Sequence, residues 1–432
     1  MSQPSSSKRQ RVVAGLSGIA IILLALIYIS PVWWVSLKAP NYPPEAFPDG
    51  VRINFHMNGV FNGCSLRTKR EVEEDKPLDC VHEMDAINHF VGMFPIASGG
   101  VVEKFFSPFL MSFVAFLIVG FVIRDIKLRL AVMGAGFAAI AAWMTLAFLT
   151  SGGIKYQNAG YLNAMVVSLG QGQGEQGEEQ SRILEALEQT LVDSGAGAVS
   201  DREELRKSIE KAGESKLGEA LGRLHQGMQQ KQGDAKTLKE ILAAAASSRL
   251  SGKALDIQVL KEAFEADQRN RPAAQRMAWN GSGAQVLTWH HEKSLGRWFN
   301  DPATNGPIAQ RKEKVANVHY WVLLAGMVAM LFVAASSGPL ASLLVIIPIL
   351  LPVFFIIEYA AWLWWYGHSL NEMGAFTLKP FMPTVFGQGK VAQFSTHSYP
   401  NIGFGLMLLS SALLTLAFLI RRKEMKETGH AA

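Results

Sequence analysis

The chain has 432 residues, 49% of them hydrophobic and 18% charged, with a formal net charge of +5. Soluble proteins carry about 25% charged residues, and here the deficit is concentrated in long uncharged stretches. That pattern excludes a wholly soluble enzyme and general disorder, and without a long basic tract the small net charge argues against nucleic acid as a partner.

An apolar crossing of a bilayer takes roughly 20 residues. Six stretches qualify in chain order: 12–29, 109–123, 130–149, 321–335, 340–364 and 402–420. The second and fourth are short in their uncharged cores and are completed by Phe105, Phe106 and Tyr320. The fifth carries Pro348 and Pro352, which remove backbone donors and predict a kink. Basic residues flank the first span (Lys8, Arg9, Arg11), fill the turn between the second and third (Arg124, Lys127, Arg129) and follow the last (Arg421, Arg422, Lys423). With six spans all three flanks share one side, which the distribution of Lys and Arg makes cytoplasmic. The first span is followed by Pro31, Val32, Trp33 and Trp34 rather than by a small-residue cleavage site. It reads as an uncleaved signal-anchor, with the two tryptophans as an interfacial anchor.

The expected fold is therefore an all-α membrane protein with six spans and both ends cytoplasmic, in a bacterial inner membrane. The segments divide as 1–34 (start and first span), 35–104 (first outer loop), 105–149 (a helical hairpin), 150–318 (second outer loop), 319–365 (spans four and five), 366–401 (third outer loop) and 402–432 (last span and basic tail). Within the second loop, 170–177 is a Gly/Gln linker. From 181 to about 277 apolar residues recur at helical spacing, as in Leu255, Val259, Leu260 and Phe264. This insert is balanced in charge and holds His225 as its one early histidine. It predicts a helical contact element that docks a protein partner.

Candidate chemistry lies outside the membrane. Cys64 and Cys80 predict a disulfide, since thiols outside the cytoplasm oxidise. Closing a ring of roughly 17 residues contributes ~3 kcal/mol in the chain-entropy view. A metal-thiolate pair is the alternative. Histidines pair with methionines: His56 with Met57, His82 with Met84, and Asp85, His89 and Met93 at spacings that share one helix face. The third loop adds His368, Met373, Met382 and His397. Imidazole with thioether selects copper, above all Cu(I), and Asp85 is placed to orient His89 from behind. The alternative is ordinary packing and surface histidines. Glu358, near the outer end of the fifth span, is a membrane carboxylate and so a site candidate, with His319 or His368 as its partner. No histidine lies deep in a span, which argues against an intramembrane haem. Nucleophile-elbow, zincin and phosphate-loop motifs are absent from the sequence, so catalytic residues are not assigned and enzyme activity is not expected.

Two stretches carry a resemblance. One runs Asp85-Ala-Ile-Asn-His89-Phe-Val-Gly-Met93-Phe-Pro-Ile. The other begins Trp364-Trp-Tyr-Gly-His368 and continues through Lys379-Pro-Phe-Met to Phe394-Ser-Thr-His397. They resemble a group of poorly characterised bacterial polytopic membrane proteins with an Asn-His-x-x-Gly-Met element outside the membrane. That group is associated with gene neighbourhoods for copper delivery and nitrous oxide reductase maturation. The resemblance covers about a quarter of the chain. It implies a copper-handling role, with His89 and Met93 as first candidates and His368 and His397 next. The expected function is copper binding and delivery during assembly of a copper enzyme. A structural subunit of a redox complex, and a small-solute or metal transporter with Glu358 on its path, are the alternatives.

Overall fold

The computed structural model describes residues 4–40, 42–45, 47–64, 79–170, 252–337, 339–375, 379–391 and 394–429. Its helices, in chain order, are α1 (Pro4–Ile29), α2 (Cys80–Phe90), α3 (Val101–Val122), α4 (Ile126–Leu149), α5 (Ala159–Gly170), α6 (Lys253–Asn270), α7 (Gly283–Leu295), α8 (Pro302–Ala335), α9 (Leu343–Ile349), α10 (Leu351–His368) and α11 (Ile402–Gly429). Five strands join them: β1 (Trp33–Lys38), β2 (Val51–His56), β3 (Gly59–Asn62), β4 (Gly387–Val391) and β5 (Phe394–Pro400). The chain divides into two units, Met1–Ala164 with Gly281–Ala432, and Met165–Asn280.

In the first unit, five helices are long and apolar enough to cross a membrane: Lys8–Ile29, Val101–Val122, Ile126–Leu149, Ala303–Ala335 and Ile402–Glu424. The pair Pro339–Ile349 and Leu351–His368 qualifies jointly but bends by 54° at its break, so the number is six if the pair is one span. Hydrocarbon offers the backbone no partners, so an apolar segment of this length closes its own hydrogen bonds as helix. The bend falls where proline chemistry puts it. Leu350 N–H closes α9 on the carbonyls of Ile346 and Ile347, and its own carbonyl takes Val353 N–H and Phe354 N–H. Pro352 has no N–H to offer across the break. The second and fourth spans start earlier than hydropathy predicts. Ahead of their uncharged cores stand charged residues, Glu103 and Lys104 in the first turn of α3 and Arg311 to Lys314 in the third and fourth turns of α8.

Side chains tie five helix ends together. Arg9 in α1 pairs with Glu427 in α11, and Arg124 after α3 pairs with Glu424. Arg129 Nε donates to Ala334 O (2.7 Å) and its Nη2 to Ser336 O (2.8 Å), at the end of α8. Both chain ends and the α3–α4 turn thus share one end of the bundle.

The other end carries a five-stranded antiparallel sheet in the order β3-β2-β1-β5-β4. It corrects the all-α expectation. The first and third outer loops meet here, with β1 pairing with β5 in the register Val35 to Ser398 and Leu37 to Thr396. Short alternating runs such as Val51, Ile53 and Phe55 are ambiguous alone, and the β1–β5 pairing that completes the sheet joins segments hundreds of residues apart. Trp33 is also not an interfacial anchor. It is 1% exposed, its Nε1 donates to Ser398 Oγ at 2.9 Å, and that hydroxyl donates to Val385 O at 2.8 Å. A buried indole N–H needs such an acceptor, and this one locks β1 to β5.

Cys64 and Cys80 form the expected disulfide. It joins the end of β3 to the first residue of α2, which Asp79 caps by accepting Val81 N–H and His82 N–H. In the second unit, α6 buries Val259, Leu260 and Phe264, the stripe that the spacing predicts, and Phe264 meets Trp279 edge-on at 5.3 Å. The linker, His225 and the predicted insert helices before residue 252 lie outside the described residues, as does His430.

Candidate functional site

Between the sheet and the helices of the first unit lies a chamber of about 1320 Å³. Ligand pockets ordinarily measure about 300–1,000 Å³, so this one exceeds the usual range. Each wall follows from a local periodicity. Cross-strand partners lie on one face of a sheet, and the register puts Val35 beside Ile53 and Leu37 beside Thr396. All four line the chamber, with Phe55. α3 contributes Glu103, Phe106, Ser107 and Leu110, at spacings of three and four. α10 contributes Phe355, Glu358, Tyr359, Trp362 and Tyr366 in the same rhythm, and α8 contributes His319. α2 and the turn after it add Met84, Ile87, Asn88 and Met93.

That turn is the Asn-His-x-x-Gly-Met element. Asn88 O accepts the Met93 N–H (3.0 Å), and Gly92 holds φ +82. A Cβ on Gly92 would lie 2.5 Å from Asn371 O, while Asn371 N–H donates to Gly92 O at 2.7 Å. Glycine is required there for both conformation and close approach. The second stretch behaves alike. Phe381 N–H donates to Gly367 O at 3.1 Å, and a Cβ on Gly367 would meet Phe381 O at 1.9 Å. Tyr366 donates its hydroxyl to Pro95 O at 2.8 Å. Both motifs therefore dock the first outer loop, the third outer loop and α10 around the chamber.

The predicted ligand residues separate into two groups. Met57, Met84, Met93 and Met382 line the chamber with His56 and His319. His89 does not line it. Its ring stacks on Trp298 at 4.4 Å and 8°, and its Nδ1 lies 2.6 Å from Ala86 O. His82 also packs near Trp298, at 6.0 Å. His368 stacks on Trp364, with Nδ1 2.7 Å from Trp364 O. His397 pairs with Ser36 on the sheet face turned away from the chamber. Met373 is exposed. Burial, and for His397 also Lys38, holds the rings of His56 and His397 below the usual imidazole value. Among the described residues no three His, Cys, Asp or Glu side chains gather to hold a metal ion.

Asp85 does not orient His89. It is fully buried, accepts Ile96 N–H at 2.7 Å and pairs with Arg297 at 3.2 Å. Burial pushes its carboxyl up to about 6, outweighing the pull of Arg297 and of the Ile96 N–H. A helix face read from spacing could not show a partner 212 residues away.

Glu358 lines the chamber, and neither His319 nor His368 hydrogen-bonds to it among the described residues. Its surroundings instead centre on Glu103. Glu103 is within electrostatic reach of Lys104, Lys312, His319 and Glu358. Its Oε2 is buried without a hydrogen-bond partner. The Lys312 Nζ lies over the Trp362 ring at 4.3 Å. The sequence reading passes over Glu103, Lys104 and Lys312, because each sits just outside an uncharged span core. Adjacent charges ahead of an aromatic run were the available signal.

Fold and site together define a helical membrane protein with a sheet-capped, largely apolar chamber at one end of its bundle. No known protein family, curated protein or solved structure matches the chain.

Proposed function

We propose that this protein holds an apolar-bodied organic molecule in the chamber, at the outer face of a bacterial inner membrane. The observation that carries this reading is the chamber itself. A volume of about 1320 Å³ is far more than an ion occupies, and apolar walls with a few convergent polar groups are what small-molecule sites have. Walls shared by α3, α8 and α10 suit a molecule that partitions into lipid. Holding such a molecule fits an accessory or transfer role more closely than catalysis. The test uses the full chain in lipid nanodiscs, titrated with a pyrene-labelled acyl chain. One saturable site per chain is expected, weakened at least tenfold by Val60→Trp, which fills the chamber from strand β3. Unsaturable uptake that ignores the substitution removes the proposal.

A second reading, Cu(I) binding and delivery to a copper enzyme under assembly, is favoured by the four methionines that line the chamber together with His56 and His319. Thioether and imidazole are soft-leaning Cu(I) ligands. The ligand set then differs from the one that spacing suggests. Under this reading Met84→Leu/Met93→Leu lowers Cu(I) affinity in a reducing titration at least tenfold, whereas His89→Ala does not. A partner for delivery is assigned to the insert.

A further inference from the structure

The chamber's polar groups narrow the class of molecule it takes. We propose that the ligand is a single-chain amphiphile with a zwitterionic head, an ammonium group beside an anionic group. This rests on the reading of the chamber as a ligand site.

Glu103, Lys104 and Glu358 all line the chamber, and Lys312 stands behind Trp362. None of these four forms an ion pair among the described residues. Among the described residues Lys104 Nζ donates to Ala97 O at 3.4 Å, and Glu103 Oε2 has no hydrogen-bond partner. Charges withdrawn from water are normally paired, because an unpaired one costs several kcal/mol. A wall that keeps both signs unpaired beside apolar surface is matched by a molecule that brings both signs. Glu103 and Lys104 are consecutive in the first turn of α3, so they diverge by about 100° around the helix axis and present carboxylate and ammonium to different sectors. Phe106 on α3 and Tyr359, Trp362 and Tyr366 on α10 also line the chamber, and ring faces attract alkylated ammonium groups. An acyl chain then lies along Leu110, Val35, Ile53 and Phe55. An anionic head would leave Glu103 and Glu358 opposed to like charge, and a nonionic head would leave all of them unmatched.

The experiment displaces the pyrene-labelled acyl chain from the full protein in nanodiscs. Three competitors of equal chain length are used: lysophosphatidylcholine, lysophosphatidylglycerol and monoacylglycerol. Lysophosphatidylcholine is expected to displace at least tenfold more tightly than the other two. Glu103→Gln and Lys104→Met should each erase that preference, and Lys104→Arg should retain it. Equal displacement by all three, or a preference that survives both substitutions, overturns the zwitterionic head and leaves the chamber reading standing. No displacement by any competitor, with no saturable probe site, overturns both.

Discussion

Asp85 and Arg297 show how one buried contact connects two segments far apart in sequence. Asp85 is 0% and Arg297 6% exposed at their side chains, and they join the first outer loop to the segment after α7. The Asp85 carboxyl rises from 3.8 to about 6 on folding. Between these values the folded chain binds more protons than the unfolded one, so stability falls as pH rises from about 4 to 6 and is level above. The span of the effect is roughly 3 kcal/mol. Thermal unfolding in detergent should show this slope in the native chain, and Asp85→Asn should remove it. Matching profiles for the two proteins would contradict the assignment. His291 tests a different cost. It is fully buried, neither ring nitrogen has a hydrogen-bond partner, and burial together with Lys312, His290 and Lys104 pushes its ring down to about 3. It is therefore neutral at every working pH. An unsatisfied buried polar group costs about 1–3 kcal/mol, so His291→Leu should leave the unfolding midpoint unchanged or raise it. A fall equivalent to more than about 1 kcal/mol would show that the imidazole is used. Residue identities of this kind are visible in the sequence, since Asp85, His89 and Met93 stand out by spacing. Their roles are not, because Arg297 and Trp298 reach them from a segment that no local pattern connects.

Elements differ in how openly the sequence declares them. The spans are legible because hydrophobicity and length alone force helix in a bilayer, and the two prolines announce the break before α10. The sheet is hidden because strands of four to seven residues carry little periodic signal, and because β1 and β5 are paired across most of the chain's length. The chamber inherits this limit. Its helical walls follow from readable stripes on α3 and α10, whereas its sheet wall exists only once the register is known. The turn after α2 links both kinds of wall. Gly92→Ala places a Cβ at φ +82 and within 2.5 Å of Asn371 O. Strain at a positive φ and the forced shift of the third outer loop each cost about 1–3 kcal/mol. The variant should unfold at lower temperature and bind the acyl probe more weakly, because Met93 and Asn88 move with the turn. Unchanged stability with unchanged probe affinity would mean that the two loops do not depend on each other.

At the scale of the whole molecule, the two ends of the bundle are chemically opposite. Arg9 with Glu427, Arg124 with Glu424, and Arg129 with the end of α8 form a basic, ion-paired end. The disulfide, the sheet and the chamber occupy the other. Basic flanks are retained on the cytoplasmic side and disulfides persist on the oxidising side, so the two criteria predict the same orientation from different residues. They also predict that the bent pair α9–α10 acts as one crossing, because the end of α8 lies with the basic end while β5 and the start of α11 lie with the sheet. Reporter fusions decide this. A reporter active only in the cytoplasm should work when fused at either chain end or in the α3–α4 turn at Lys127, and should fail when fused after Thr150 or Asn371. A thiol label that cannot cross the membrane should reach a cysteine placed at Gly387 and not one placed at Lys127. If Gly387 and Lys127 label from the same side, α9–α10 is re-entrant rather than spanning. The chamber would then open toward the cytoplasm, and the acyl probe would have to enter from the inner leaflet.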